Sequence, residues 1–279
     1  MAFSELKASD GALSVDSVAE AAEALALEGP SADHLRALAG PDPVFVIEGL
    51  RAGYGRMEIL HEFNLEIGTG QSLCLIGPNG AGKSTVLHSI YGFTDISAGS
   101  ISLRGRDITA LSANEKLKEA GIAYILQDNS VFPDMTVEEN MFMGGYLMDK
   151  PRQARDAAEK VLGKYPRLNR RRHERASILS GGERRLLEIS RALMMEPDIL
   201  LVDEPSIGLE PRFISMVFEI LNDLQNSEGK TIIMVEQNAK KGLEFADIGY
   251  VLVSGQLAMA DSGDALLGDP DVGRLFLGH

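Results

Sequence analysis

Cysteine is nearly absent: Cys74 is the single one in 279 residues, so no intramolecular disulfide can form. It lies in the apolar run Ser72-Leu-Cys-Leu-Ile76, which reads as a core position and suits a reducing compartment. Long hydrophobic runs are missing as well, since no stretch reaches the roughly 18 consecutive apolar residues of a membrane span. Residues 1–20 carry Glu5, Asp10, Asp16 and Glu20 where a signal peptide needs a basic start and an apolar centre. By this reading the chain neither spans a membrane nor is exported by that route, and any work at a membrane goes through a partner. Positive charge is scarce: 27 Lys and Arg face 41 Asp and Glu, a net charge of −14. A field of that sign repels nucleic acid and anionic lipid. Five histidines are scattered without metal-ligand spacing, and no period of about 20 to 50 residues repeats.

What is present is enough for a real core. The chain is 44% hydrophobic, and its length fits one enzyme-sized domain with a small satellite, or two small domains. Residues 1–43 stand apart, Ala-rich, with Lys7 and Arg36 against eight acidic residues. Within them Ser17-x-x-Glu20 reads as a capping box before a helix that Gly29-Pro30 would end, and a second short helix is expected over 31–40. The segment reads either as a docking or regulatory arm or as a loosely held tail.

From Pro43 short β-branched and aliphatic runs follow: 44–50, 72–76, 101–103, 122–126, 199–202, 231–235 and 250–253. Several are apolar without alternation, as expected of strands covered on both faces, and helical patterns follow Gly82 and Pro211. A mostly parallel α/β sheet is predicted. Between Met135 and Arg191 no strand pattern occurs, while 137–148, 152–164 and 182–195 look helical, which predicts a helical insertion.

Three motifs carry chemistry. Directly after the run 72–76 comes Gly77-Pro78-Asn79-Gly80-Ala81-Gly82-Lys83-Ser84-Thr85, a match to G-x-x-x-x-G-K-[ST] in its strand-loop-helix setting. Its glycines let backbone amides surround a phosphate chain, a helix starting near Lys83 adds its positive end, Lys83 reaches the outer phosphates and Ser84 can hold Mg²⁺. Next, the apolar run Ile199-Leu-Leu-Val202 delivers Asp203 and Glu204 at its carboxyl end, where α/β sheets place ligands. Asp203 then acts on Mg²⁺ and Glu204 on an attacking water. Last, Leu179-Ser180-Gly181-Gly182-Glu183 precedes a helical run, again a helix start built to receive an anion. One chain thus carries two phosphate receptors of different kinds.

The order of these motifs, with Gln127 between the first and the third, resembles the ATP-binding-cassette (ABC) ATPases from about Val44 to the C-terminus. The resemblance implies a P-loop NTPase core of mostly parallel sheet, an antiparallel β subdomain and a helical subdomain at about 130–192, with residues 1–43 outside the cassette of 44–279. It further implies that Tyr54 stacks on adenine, that Gln127 senses Mg²⁺ and water, and that the Ser180 loop closes over ATP held by a second cassette. Narrower motifs, Glu204-Pro-Ser-Ile-Gly-Leu-Glu-Pro211, Val235-Glu-Gln-Asn238, Pro133-Asp-Met-Thr-Val-Glu-Glu-Asn140, Tyr165-Pro-Arg-Leu168 and Leu275-Phe-Leu-Gly278, are similar to those of branched-chain amino-acid importer ATPases. In that family two cassettes, often distinct, pair on the cytoplasmic face of the inner membrane under two integral permease subunits, and a periplasmic protein supplies substrate. The stretch 128–140 is the expected contact with the membrane subunit. Urea and amide importers share these motifs.

Two departures stand out. Where most cassettes have a histidine this chain has Gln237, which can hydrogen-bond a γ-phosphate oxygen but carries no proton or positive charge, so slow hydrolysis is expected. Glu183 replaces the more usual Gln, which should change little because the two glycines and the serine make the phosphate contacts, and Glu210 stands where aspartate is frequent. Other readings share part of this pattern. A lipid or polysaccharide exporter would keep every catalytic residue, whereas a soluble cassette acting on DNA or ribosomes would need a coiled-coil insertion or a second cassette, and neither is visible. The basic cluster Arg167 to Arg175 reads as a solvated or ATP-proximal face, not a nucleic-acid surface.

Overall fold

A computed structural model describes residues 29–127 and 130–277. The capping box at Ser17, Asp128, Asn129 and Gly278 lie outside them. The chain runs through α1 (Ala32–Ala39), β1 (Phe45–Tyr54), β2 (Met57–Ile67), β3 (Ser72–Ile76), α2 (Lys83–Tyr91), β4 (Asp95–Leu103), β5 (Arg106–Asp107), α3 (Ala113–Lys118) and β6 (Ile122–Ile125). It continues with α4 (Val137–Gly144), α5 (Pro151–Lys164), α6 (Pro166–Asn169), α7 (Gly181–Ala192), β7 (Ile199–Asp203), α8 (Pro211–Asn226), β8 (Thr231–Val235), α9 (Ala239–Phe245), β9 (Ile248–Val253) and β10 (Gln256–Ser262).

The strands make two sheets, one ordered β2-β1-β4-β5 and one ordered β10-β9-β3-β8-β7-β6. The first is antiparallel throughout. In the second, β9, β3, β8, β7 and β6 are mutually parallel and β10 alone is antiparallel. The apolar runs lack alternation because both faces are covered. Leu73 and Leu75 join one buried cluster while Cys74 and Ile76 join the other, and Leu201 and Val202, Ile233 and Met234 divide the same way.

The region without strand signal is helical, as expected, with α4, α5, α6 and α7 and one isolated bridge, Thr136 to Arg175. Helix α4 stops short of Met148, at Gly144, where α7 crosses it closely: a Cβ on Gly144 would lie 2.4 Å from the Arg191 carbonyl. Strand β2 escaped the sequence pattern. Glu62 adopts φ 53°, so Leu60 and Phe63 are both buried and the period of two breaks between them. Helix α1, capped by Ser31, belongs to the stretch that composition set apart, yet Leu35 and Ala39 are buried. It is tied down by Arg36 to Glu66, by the Gln71 amide donating to the Leu38 carbonyl at 3.1 Å, and by a 2.8 Å contact of His34 Nε2 with the Ala260 carbonyl.

Candidate active site

Parallel order puts the carboxyl ends of β3, β8, β7 and β6 on one edge, with Leu75 and Asp203 both in register with Val235. Every loop carrying a predicted site residue of the sheet leaves from that edge. Gly77 follows β3 at φ 146°, and a Cβ there would lie 2.1 Å from the Leu252 carbonyl, so only glycine fits. Further on, the Ala81 carbonyl accepts from the Gly255 amide at 2.9 Å, which pins the loop to the β9–β10 turn. Pro78, Asn79 and Gly80 form its crest. Gly82, at φ 99°, is the N-cap of α2 and provides no side-chain cap, leaving the first-turn amides of Lys83, Ser84 and Thr85 for an anion.

Lys83 is 6% exposed, and its ammonium donates to the carbonyls of Gly77 at 2.8 Å and Pro78 at 3.0 Å. Burial lowers its pKa, opposed by the nearby Glu204 and Asp203 charges. The Ser84 hydroxyl donates to Asp203 Oδ1 at 3.1 Å, and the Gln127 amide donates to Glu204 Oε2 at 2.7 Å. The structure thus brings together Lys83, Ser84, Gln127, Asp203 and Glu204. Glu204 sits at φ 41°, a costly conformation for a side chain of its kind, and its amide is held by the Val235 carbonyl at 2.8 Å.

Gln237 is exposed just beyond the end of β8. Its neighbour Glu236 is buried and accepts from the Ser206 hydroxyl at 2.8 Å, the Ser206 amide at 3.3 Å and the Asn238 amide at 2.8 Å. One carboxylate therefore binds the turn after Glu204 to the turn that carries Gln237. Tyr54, at the end of β1, is 43% exposed, and its hydroxyl pairs with His88 Nδ1 on α2.

Ser180, Gly181 and Gly182 stand at the start of α7, where Gly181 lines a cleft together with Gln127, and no hydrogen bond among the described residues links them to residues 77–85. Ser180 caps α7 and shares a capping box with Glu183, donating its hydroxyl at 2.8 Å and its amide at 3.0 Å to Glu183 Oε2. The same oxygen accepts from Arg171 at 2.8 Å. Burial alone would raise the Glu183 pKa, but the Ser180 donors and the Arg171 guanidinium hold it down to about 2. Arg172 pairs with Glu138 at 2.6 Å and with Glu159, so the basic cluster is largely engaged by carboxylates of this chain.

Sequence reasoning missed Arg185 and Tyr124. Arg185, 5% exposed, donates to the carbonyls of Leu126 at 2.6 Å and Asp203 at 3.1 Å and pairs with Glu188 at 2.9 Å. It joins α7 to the backbone before Gln127 and at Asp203. An arginine inside a helical pattern reads as surface charge, so nothing in the sequence singles it out. The Tyr124 hydroxyl donates to Asp203 Oδ2 at 2.8 Å, and burial raises its pKa, keeping it a donor. Its signal was hidden in an apolar strand.

The geometry defines a nucleotide-binding cassette, and comparison with known proteins agrees. The sequence pattern of the ABC transporter family matches residues 60–207. The chain is 43% identical over 225 residues, covering 81% of it and 95% of the relative, to the high-affinity branched-chain amino acid transport ATP-binding protein BraG of Pseudomonas aeruginosa. It is 36% identical, over 82% of this chain and 96% of the relative, to a probable branched-chain amino acid transport ATP-binding protein, LivF, of Archaeoglobus fulgidus. A lipopolysaccharide export system ATP-binding protein, LptB, of Acidithiobacillus ferridurans is 32% identical over 83% of this chain and 95% of its own. Among solved structures, a nucleotide-free ATP-binding cassette from an ABC transporter superposes with a TM-score of 0.75 at 27% identity, over 85% of this chain and 100% of that one.

This chain belongs to the ABC transporter family. It is an ABC ATPase with the P-loop core, antiparallel β sheet and helical insertion that the resemblance implied, and it binds ATP. No helix among the described residues is long and apolar enough to cross a membrane.

Proposed function

We propose that this chain is the ATP-hydrolysing subunit of an importer for branched-chain amino acids or related small amides. Its support is the 43% and 36% identity to two ATP-binding proteins of branched-chain amino acid transport, against 32% to the exporter protein. The observation that carries the enzymatic half is the joint placement of Ser84 on Asp203 and of Gln127 on Glu204 at one sheet edge. In this reading residues 44–279 are the cassette, about 130–192 its helical subdomain, and residues 1–43 an extension. The subunit sits on the cytoplasmic face of the inner membrane, paired with a second cassette, distinct or identical, beneath two permease subunits fed by a periplasmic binding protein.

Phosphoryl transfer to water needs position and charge neutralisation more than covalent help. Residues 77–85 wrap the phosphate chain with backbone amides, and Lys83 exchanges its two carbonyl partners for the outer phosphates. Ser84, Gln127 and Asp203 offer the hard oxygen donors that fit Mg²⁺, which when bound neutralises phosphate charge. Glu204 accepts a proton from the attacking water. Gln237 donates a hydrogen bond to a phosphate oxygen, and the Tyr54 ring takes the adenine. Ser180, Gly181 and Gly182 serve the nucleotide of the opposite cassette, so closure follows ATP and opening follows hydrolysis. The membrane subunit is received at residues 128–140, next to which a groove between α4, α7 and β6 is rimmed by the exposed Phe132, Met143 and Tyr146.

The test is uptake of labelled leucine, isoleucine, valine and urea by cells whose native copy is replaced by this chain or by its Glu204→Gln variant. Branched-chain amino acid uptake with the first and none with the second supports the reading. Uptake indifferent to the variant overturns it.

A further inference from the structure

We infer that Tyr124 is a positioning residue for Asp203, holding one carboxylate oxygen so that the other stands beside Ser84. The inference rests on the ATPase reading above, because it concerns the carboxylate that would hold Mg²⁺.

Strands β6 and β7 run parallel with Tyr124 opposite Leu201, so the long tyrosine side chain must reach toward the carboxyl edge to meet Asp203. It does so with a 2.8 Å bond from its hydroxyl to Oδ2, while the Ser84 hydroxyl approaches Oδ1 at 3.1 Å. Asp203 is 3% exposed, so water does not substitute readily for either donor. The terminal torsion of an aspartate is broad and roughly two-fold. One donor would leave the carboxylate plane free to turn, whereas two donors from different elements fix it.

The tyrosine is itself held. Its ring lies 5.4 Å from Tyr91, 6.1 Å from Phe93 and 5.9 Å edge-on from His88. His88 in turn meets the Tyr54 ring edge-on at 6.1 Å and pairs with its hydroxyl. The exposed tyrosine proposed to take adenine and the carboxylate beside Ser84 are thus joined by a continuous run of contacts through His88 and Tyr124. Hydrogen-bond partners of metal-ligating groups typically account for about 10- to 100-fold in metal affinity. The Tyr124 hydroxyl is placed to act on Mg²⁺ affinity without touching the nucleotide.

The experiment is equilibrium binding of a fluorescent ATP analogue to the full-length chain, in EDTA and over a Mg²⁺ titration, for wild type, Tyr124→Phe and Tyr124→Leu. Tyr124→Phe should leave affinity in EDTA within about two-fold and raise the Mg²⁺ needed for half of the metal-dependent change by about ten-fold or more. Tyr124→Leu should show the same Mg²⁺ shift together with a lower thermal midpoint. An unchanged Mg²⁺ midpoint in Tyr124→Phe, or equal weakening with and without Mg²⁺, overturns the inference, as does a thermal loss in Tyr124→Leu with no Mg²⁺ shift. A wild-type chain that binds the analogue in neither condition overturns the ATPase reading itself, an outcome visible before any variant is compared.

Discussion

The Gln127 amide meets the Glu204 carboxylate at 2.7 Å across the ends of β6 and β7, so the residue expected to sense Mg²⁺ and the residue expected to polarise water are in direct contact. Glu204 reaches that position from a left-handed backbone, a conformation that persists only where surrounding structure enforces it. Here the enforcement comes from the Val235 carbonyl on its amide and from Glu236 on Ser206 two residues later. Glu204→Gln removes the proton acceptor and keeps the shape. Hydrolysis in the assembled transporter should fall by about 10² to 10⁴, the range of a general base, while ATP binding persists. Wild-type turnover would remove Glu204 from the mechanism.

Glu183 gives a pH prediction. Its carboxyl is held at about 2 in the folded chain, against about 4.3 for an unperturbed glutamate. A depressed folded pKa contributes stability that is complete above about pH 5 and is lost as pH falls toward 2. Glu183→Gln can still cap α7 but gives up the attraction of Arg171 and Arg167. The stability gap between wild type and variant, read from urea unfolding at low protein concentration, should be steady from pH 7 to about 5 and shrink below. A gap independent of pH would show that the ion pairs contribute nothing.

Much of this was legible in the sequence because the relevant signals are local. The loop 77–85 announces itself by glycine spacing, and the buried strands by unbroken apolar runs. The rest was hidden for definite reasons. In β2 the bulge at Glu62 erases the alternation that would mark a strand, and the first half of β4 is mostly exposed and so carries little apolar signal. Glu183 read as a near-neutral exchange for Gln because its partners Arg171 and Arg167 are more than ten residues away along the chain. Tyr124 and Arg185 matter through contacts with Asp203 some 79 and 18 residues distant, and no local pattern encodes a partner at that range.

Gln237 is exposed beyond β8, on the turn that Glu236 fixes from below. A histidine would fit the same open position and could carry the positive charge that an amide lacks. Gln237→His, assayed for ATP turnover in the assembled transporter, should therefore be faster than wild type. An unchanged or lower rate would mean that charge at this position does not limit hydrolysis.

The contact between Gly182 and Phe213 yields the sharpest separation of packing from chemistry. A Cβ on Gly182 would lie 2.1 Å from Phe213 Cδ1 and 2.4 Å from Cγ, far inside contact distance of the ring, so α7 can approach α8 only with glycine there. Phe213 has little freedom to yield, being 7% exposed and covered by the Arg212 guanidinium 4.6 Å from its centroid. Gly182→Ala should cost about 1–3 kcal/mol, the usual range for an overpacked contact, and appear as a lower thermal midpoint. Phe213→Leu alone should also destabilise, but in the double variant the two losses should fall short of their sum, since the smaller side chain relieves the clash. Additive losses would mean that α7 and α8 do not press on each other at this point. Hydrolysis in the double variant divides the two roles of Gly182. Recovery of both stability and turnover would assign it packing alone, whereas recovered stability with slow turnover is the result expected if the start of α7 also faces the nucleotide of the opposite cassette.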